Sequence, residues 1–325
     1  MKLLTFQGPQ GPVLGGTAGD SVVALRPALA AAMRAAGEVD RSAEVIPADM
    51  VALLGDEAAM TAAGRALAFA ARADNAVLRQ PLSAVKLLAP LKPGKILGVG
   101  RNYGDHAKEV GGPKLEMPRI FIKPTSSVTG PGAVVKIPSH VKKPDWEVEL
   151  GVVIGKPARD VPEGIALDYV AGYTVLNDVS AREFQFDVPL AMTSFAKGMD
   201  GFCPIGPWIV TPEEVGEPWM LDVKCWLNGE EVQHGNTRDL IFSVSALIAF
   251  LSRYMTLEPG DVIATGTPAG VGHFRDRQQL ERRRLGGRQR FVGGGDAGFA
   301  GDDDFFGAQR VDREIAADQR QPVPV

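Results

Sequence analysis

The sequence predicts a mixed, β-rich α+β fold preceded by a small N-terminal α/β domain, and three observations carry that expectation. From Lys95 to Gly272 the chain repeats short β-type runs, KILGVG, RIFIKP, AVVKIP, WEVELGVVIG, YVAGYTVL, PIGPWIV and DVIATG, separated by glycine and proline turns. Asn228-Gly229 sits between two alternating runs, a hairpin signal because both turn positions need positive φ. Leu240, Ile241, Val244, Leu247, Ile248 and Leu251 recur at three- and four-residue spacing, which predicts one helix with a single apolar face.

Taken in order, residues 1–90 form the first unit. Lys2 to Phe6 reads as a strand, and the Ala-rich stretches Pro27–Gly37 and Ala58–Arg72 read as helices, since alanine loses no side-chain entropy on becoming helical. These stretches carry little that does chemistry and read as scaffold. Ala89-Pro90-Leu91-Lys92-Pro93-Gly94 marks a boundary, and residues 91–272 form the second unit. Residues 273–325 differ: they hold ten arginines and no lysine, whereas residues 1–272 hold twelve arginines and thirteen lysines. They show no period of 2 or 3.6 and too little apolar surface to offset chain entropy. The expectation is a disordered tail or an out-of-frame translation of a GC-rich gene end, and the switch to pure arginine favours the second.

Composition narrows the function classes. Hydrophobic residues make up 45% and charged residues 23%, the balance of a globular protein. A net charge of −4 gives no general attraction to nucleic acid or to an anionic membrane. No run approaches the roughly 18 apolar residues that span a bilayer, and the N-terminal MKLLTFQGPQGP is broken at once by glycine and proline. Cys203 and Cys225 suit neither a disulfide framework nor a zinc site. A cytoplasmic protein acting on a small molecule is expected.

Two constellations carry chemistry. In Trp146-Glu147-Val148-Glu149-Leu150, residues two apart share a strand face, so Glu147 and Glu149 project together. Such a pair is either a solvated outer face or a cation site. Asp178, which ends the apolar run Tyr173–Asn177, supplies a third acid. Three hard oxygen donors suit Mg²⁺ or Mn²⁺ rather than zinc. The second constellation is GVGRNYGDHAKE, residues 98–109, where a glycine turn leads into a short helix. His106 and Glu109, three apart, would share a helical face, and a carboxylate beside an imidazole prepares it as a general base. The alternative there is a surface pair. Lys123, Lys197 and Thr267 are further candidates. GVGRNYG lacks the phosphate-loop pattern, so nucleotide binding is not expected.

Together the stretches GVGRNYGDHAKEVG, PRIFIKPTSSVTGPG, DWEVELGVVIG, GYTVLNDVSAREFQ, SFAKGMDGFCPIGPW, LNGEEVQHGNTRDLIFSVSALIAFLS and LEPGDVIATGTPAGVG resemble the fumarylacetoacetate hydrolase family, in the family's order over residues 95–272. The resemblance implies a mixed β-sheet roll, a homodimer and an Mg²⁺ or Mn²⁺ ion. By position, Glu147, Glu149 and Asp178 match the metal ligands, His106 and Glu109 the catalytic dyad, and Lys197 the lysine beside the metal. Arg101, Tyr103, Lys123, Arg182, Gln185 and Thr267 are the substrate-contacting positions it suggests. The implied activity is C–C hydrolysis of a 2,4-dioxo acid such as an acylpyruvate. Isomerisation or decarboxylation of a 2-oxo-heptenedioate from aromatic catabolism is the alternative. The C-terminal stretch departs from the family pattern and adds the further alternative of a catalytically impaired member.

Overall fold

The computed structural model describes residues 1–111, 115–274, 288–293 and 308–310. Among the described residues the main sheet has ten strands. Their order is 79–81, 21–24, 11–18, 2–8, 209–210, 170–177, 148–154, 262–264, 96–100 and 119–123. The N-terminal strands extend this sheet, because Lys2–Gly8 pairs with Ile209–Val210 through Leu3 and Ile209. The centre is mixed: Val148–Ile154 runs antiparallel to Val170–Asn177, whereas Val262–Ala264 runs parallel to Ile96–Gly100. Parallel neighbours deliver their following loops to the same edge of the sheet.

Both faces are covered, so the central strands are apolar on both sides. Ile96, Val153, Val262 and Ala264 pack in one core with Leu25–Ala35 and Glu57–Ala71, the two predicted Ala-rich helices. Leu97, Val152, Ile154 and Ile263 point the other way, into a core with Val244, Leu247, Ile248 and Leu251 of helix Val244–Tyr254. Each fully buried aliphatic side chain contributes about 1.5–3 kcal/mol. That helix starts later than the apolar spacing predicts. Ser243 caps it by accepting from Ala246 N, and Leu240 and Ile241 instead bond to the 102–103 loop.

The hairpin forms as predicted: Asp222–Leu227 pairs with Glu230–Asn236, and Asn228 and Gly229 take φ of 57° and 85°. It packs on Trp146 and Val148. AVVKIP, by contrast, is not a strand. Flanking prolines remove ladder donors, and Val135 buries in a loop cluster with Val141, Val179 and Phe202. The expected tail, residues 273–325, lies mostly outside the described residues. Within it no strand is predicted, yet the backbone of Arg288–Gly293 pairs with Asp222–Leu227, and Ala308–Arg310 pairs with Arg288–Gly293. An open strand edge presents unpaired N–H and C=O groups, which a neighbouring segment satisfies without any periodic pattern. Among the described residues no helix is long and apolar enough to cross a membrane.

Candidate metal centre

The acidic strand and the strand beside it build the site. Glu147 and Glu149 lie on one face at the start of Val148–Ile154, and Asp178 follows the last residue of Val170–Asn177. The register pairs Glu149 with Leu176, and Asp178 N donates to Glu147 O at 2.8 Å. One oxygen from each of the three carboxylates lies within 4.8 Å of the others, and all three residues are buried. The alternative of a solvated outer face is thereby removed.

Three cationic side chains share this pocket. Lys197 ends the short helix Thr193–Lys197. Its Nζ donates to Glu147 Oε2 at 2.6 Å and to Ser180 Oγ at 2.8 Å, and also contacts Asp178 Oδ2. Lys123, fully buried, reaches Asp178 Oδ1 at 2.6 Å and the Lys197 carbonyl. Arg182 spans two acids, with Nη2 2.6 Å from Glu147 Oε1 and Nε 2.7 Å from Asp145 Oδ2, while Nη1 donates to Gln185 Oε1 at 2.9 Å.

Four buried carboxylates thus face three buried cations. Burial alone would raise the Glu147 carboxyl, but Arg182, Lys197 and His106 outweigh it and hold it well below the usual range. Glu149 behaves oppositely. Burial pushes it well above the ordinary range, and Asp178 and Glu147 push it further. Glu149 Oε2 accepts from Gly266 N at 2.8 Å, and among the described residues no lysine or arginine forms an ion pair with it. A divalent cation relieves this repulsion, and an all-oxygen carboxylate set suits Mg²⁺ or Mn²⁺. The residues fit such an ion.

The predicted dyad is present on helix Gly104–Val110: His106 Nδ1 lies 3.0 Å from Glu109 Oε2. His106 is 5% exposed whereas Glu109 is partly exposed, so the imidazole is the inner member of the pair. The helix is pinned to the loop after Val262–Ala264, since Glu109 Oε1 accepts from Gly270 N and Asp105 Oδ2 from Ala269 N. Thr267 is in that loop, but its hydroxyl donates to Val148 O and accepts from Gln233 Nε2, both at 2.8 Å. Tyr103 is fully buried with no partner for its hydroxyl among the described residues, and Arg101 holds a positive φ of 60°.

Three positioning residues escaped the sequence reading. Asn102 bonds Phe242 and Thr265 and fixes the turn that carries the dyad. Asp145 receives Arg182 and the backbone of Trp146, Gly272 and His273. Gln233 ties Val148 N to Thr267. Each acts across more than 30 residues of sequence in at least one contact, and none lies in an apolar run or a periodic pattern that would mark it locally.

A protein of Burkholderia multivorans described as a hydrolase is 55% identical to this chain over 179 residues. That alignment covers 55% of the chain and spans 63% of the relative's own length. Maleylpyruvate hydrolase of Sphingobium sp. SYK-6, solved with a manganese(II) ion and pyruvate, is 30% identical with a TM-score of 0.69, over 96% of this chain and 100% of that one. 2-Hydroxyhepta-2,4-diene-1,7-dioate isomerase of Mycobacterium marinum is 31% identical with a TM-score of 0.60, over 84% and 89%. The family pattern of the fumarylacetoacetate (FAA) hydrolase C-terminal domain matches residues 95–298 and so runs past Gly272. With this match and these likenesses, the chain belongs to the fumarylacetoacetate hydrolase family.

Proposed function

We propose that the protein is an Mg²⁺- or Mn²⁺-dependent hydrolase that cleaves a C–C bond in a 2,4-dioxo acid of the acylpyruvate type. The observation that carries this reading is that one loop, 265–270, bonds both Glu109 of the His106–Glu109 pair and Glu149 of the three clustered carboxylates. Glu147, Glu149 and Asp178 would hold the cation. When bound, it supplies Lewis-acid polarisation of the 2-oxo group and stabilises the charge released on cleavage.

The chain's own residues do the rest. Glu109 accepts from Nδ1–H, which leaves the Nε2 lone pair free to take a proton from water. That water adds to the distal carbonyl, the bond between it and the adjacent CH₂ breaks, and the proton passes to that departing carbon. A carboxylic acid and pyruvate result. Lys197, anchored on Glu147, Asp178 and Ser180, orients the water or the substrate oxygen. The excess carboxylate among the buried charges favours a cation, and a cation there in turn favours an anionic oxo acid. The N-terminal 90 residues serve as scaffold, and a homodimer in the cytoplasm is the proposed form.

The second reading keeps the site and changes the reaction to isomerisation or decarboxylation of a 2-oxo-heptenedioate; the likeness to the M. marinum isomerase supports it. Turnover of a panel of 2,4-dioxo and 2-oxo acids, with Mg²⁺ and with chelator, tests both. Pyruvate release from an acylpyruvate that stops on chelation supports hydrolysis. Loss of the dienedioate without pyruvate release supports the alternative.

A further inference from the structure

Arg182 holds one nitrogen in reserve. Its Nε donates to Asp145 Oδ2 at 2.7 Å, and its Nη1 donates to Gln185 Oε1 at 2.9 Å. Nη2 lies 2.6 Å from Glu147 Oε1 as an ion pair, yet no acceptor among the described residues is aligned for a hydrogen bond with it. The side chain is 3% exposed, and a buried donor without an acceptor is costly. An anionic oxygen of the substrate would satisfy it, provided the guanidinium is kept from turning away.

Two anchors fix the guanidinium. On one side, Glu183 of the turn Glu183–Phe186 accepts from Lys142 N and Lys143 N, and Arg182 N donates to Lys143 O. On the other, Asp145 Oδ2 also accepts from His273 N at 2.9 Å, and Asp145 Oδ1 accepts from Gly272 N at 2.6 Å. The chain passes so close there that a Cβ at Gly272 would stand 2.6 Å from Asp145 Oδ1 and 2.8 Å from the Trp146 ring. His273 then lays its ring on Phe186, with centroids 4.7 Å apart and planes at 19°. Phe274 meets both rings edge-on, at 4.8 and 6.0 Å. His273 and Phe274 open the lysine-free segment 273–325, so this anchor comes from outside the strands that carry the acidic centre.

We infer that His273 is a positioning residue for Arg182: its backbone N–H on Asp145 and its ring on Phe186 hold the guanidinium with Nη2 ready for the oxo acid. Asp145 accepts from Arg182 and from the backbone of Trp146, Gly272 and His273, and it cannot rotate without losing some of these bonds. Phe186 follows Arg182 by one helical turn and donates its N–H to Arg182 O, so a ring pressed on Phe186 steadies the backbone that carries Arg182. The inference rests on the oxo-acid reading above and names a residue that serves it.

The test is titration calorimetry of pyruvate, as a 2-oxo-acid probe, on the full-length protein with saturating Mg²⁺. His273→Ala keeps the backbone N–H and removes only the ring, and an aromatic pair is worth about 2- to 10-fold in an equilibrium constant. Pyruvate affinity should fall by that factor in His273→Ala and in Phe186→Ala, and His273→Phe should restore it. In an Arg182→Lys background, His273→Ala should cost nothing further, because its effect passes through Arg182. Hydrogen exchange at Arg182 Nε, followed by NMR in metal-free protein, should quicken by a similar factor in His273→Ala. Unchanged pyruvate affinity in His273→Ala, or an equal further loss in the Arg182→Lys background, would overturn the positioning role. No pyruvate binding by the unaltered protein would overturn the oxo-acid reading, while quickened exchange would still show the hold on Arg182.

Discussion

Gly266 donates its backbone N–H to Oε2 of Glu149, and no lysine or arginine among the described residues forms an ion pair with that carboxylate. Glu147 and Asp178, by contrast, both contact Lys197. The protein thus compensates two of the three acids with a lysine and leaves the third without an ion-pair partner among the described residues. Glu149→Gln is expected to weaken Mg²⁺ and Mn²⁺ binding by at least about 100-fold, beyond the usual effect of losing an outer-shell partner. Titration calorimetry reads this directly, and unchanged affinity would remove Glu149 from the ligand set.

The same carboxyl sets a pH dependence. Burial first, then Asp178 and Glu147, raises it above its unfolded value of 4.5. The folded chain therefore keeps a proton that the unfolded chain has lost, so this group's stabilisation is complete below 4.5 and declines as pH rises through the folded value. Metal-free protein should lose melting temperature as pH rises above 4.5 and through the raised folded value, and Glu149→Gln should flatten that loss. Mg²⁺ affinity should rise over the same interval, because binding expels the proton. A melting curve that climbs with pH in the metal-free protein and is insensitive to Glu149→Gln would contradict this.

His106→Ala should lower kcat for an acylpyruvate by about 100-fold or more, the scale of general-base removal. Glu109→Gln should lower it less, since the imidazole remains while its tautomer is no longer fixed. Metal affinity should change little in either variant, which distinguishes loss of the base from collapse of the centre. Near-wild-type turnover by His106→Ala would refute the assignment.

Lys197→Met leaves Glu147 and Asp178 buried without their shared ammonium. Breaking a buried pair on one side costs about 3–5 kcal/mol. The metal-free variant should melt well below the parent, and added Mg²⁺ should recover part of the difference by supplying the missing charge. Absence of any metal-dependent recovery would show that the lysine does more than balance charge.

Gly98→Ala places a methyl group 2.1 Å from the Phe121 ring. Overpacking of this kind costs about 1–3 kcal/mol. Because that ring also lies against Lys197, the variant should lose activity as well as stability. Phe121→Leu in the same background should restore much of the melting temperature, and a failure to do so would place the strain elsewhere.

Elements specified by nearby residues were legible in the sequence. The Asn228-Gly229 turn and the Ala-rich helices follow from positive-φ need and entropy alone, and the i, i+2 spacing of Glu147 and Glu149 follows from the pleat. What local pattern could not convey is which face is buried and what lies across the gap. Lys123 is a candidate in the sequence without a stated partner, and only strand pairing with Ile96 turns it onto Asp178. Asp145 carries no periodic signal, and its role exists only because Arg182, Gly272 and His273 converge on it. Leu240 keeps the helical spacing but sits outside the helix, since a bridge to Tyr103 outcompetes one more turn.

The parallel pairing of Val262–Ala264 with Ile96–Gly100 has an evolutionary consequence. Two connections, 101–106 and 265–270, depart from one rim of that paired scaffold. Insertions or exchanges in those connections would reshape what the enzyme accepts while leaving the ladder undisturbed. A lineage could thus move between related acids by editing rims, with no need to refold the frame beneath.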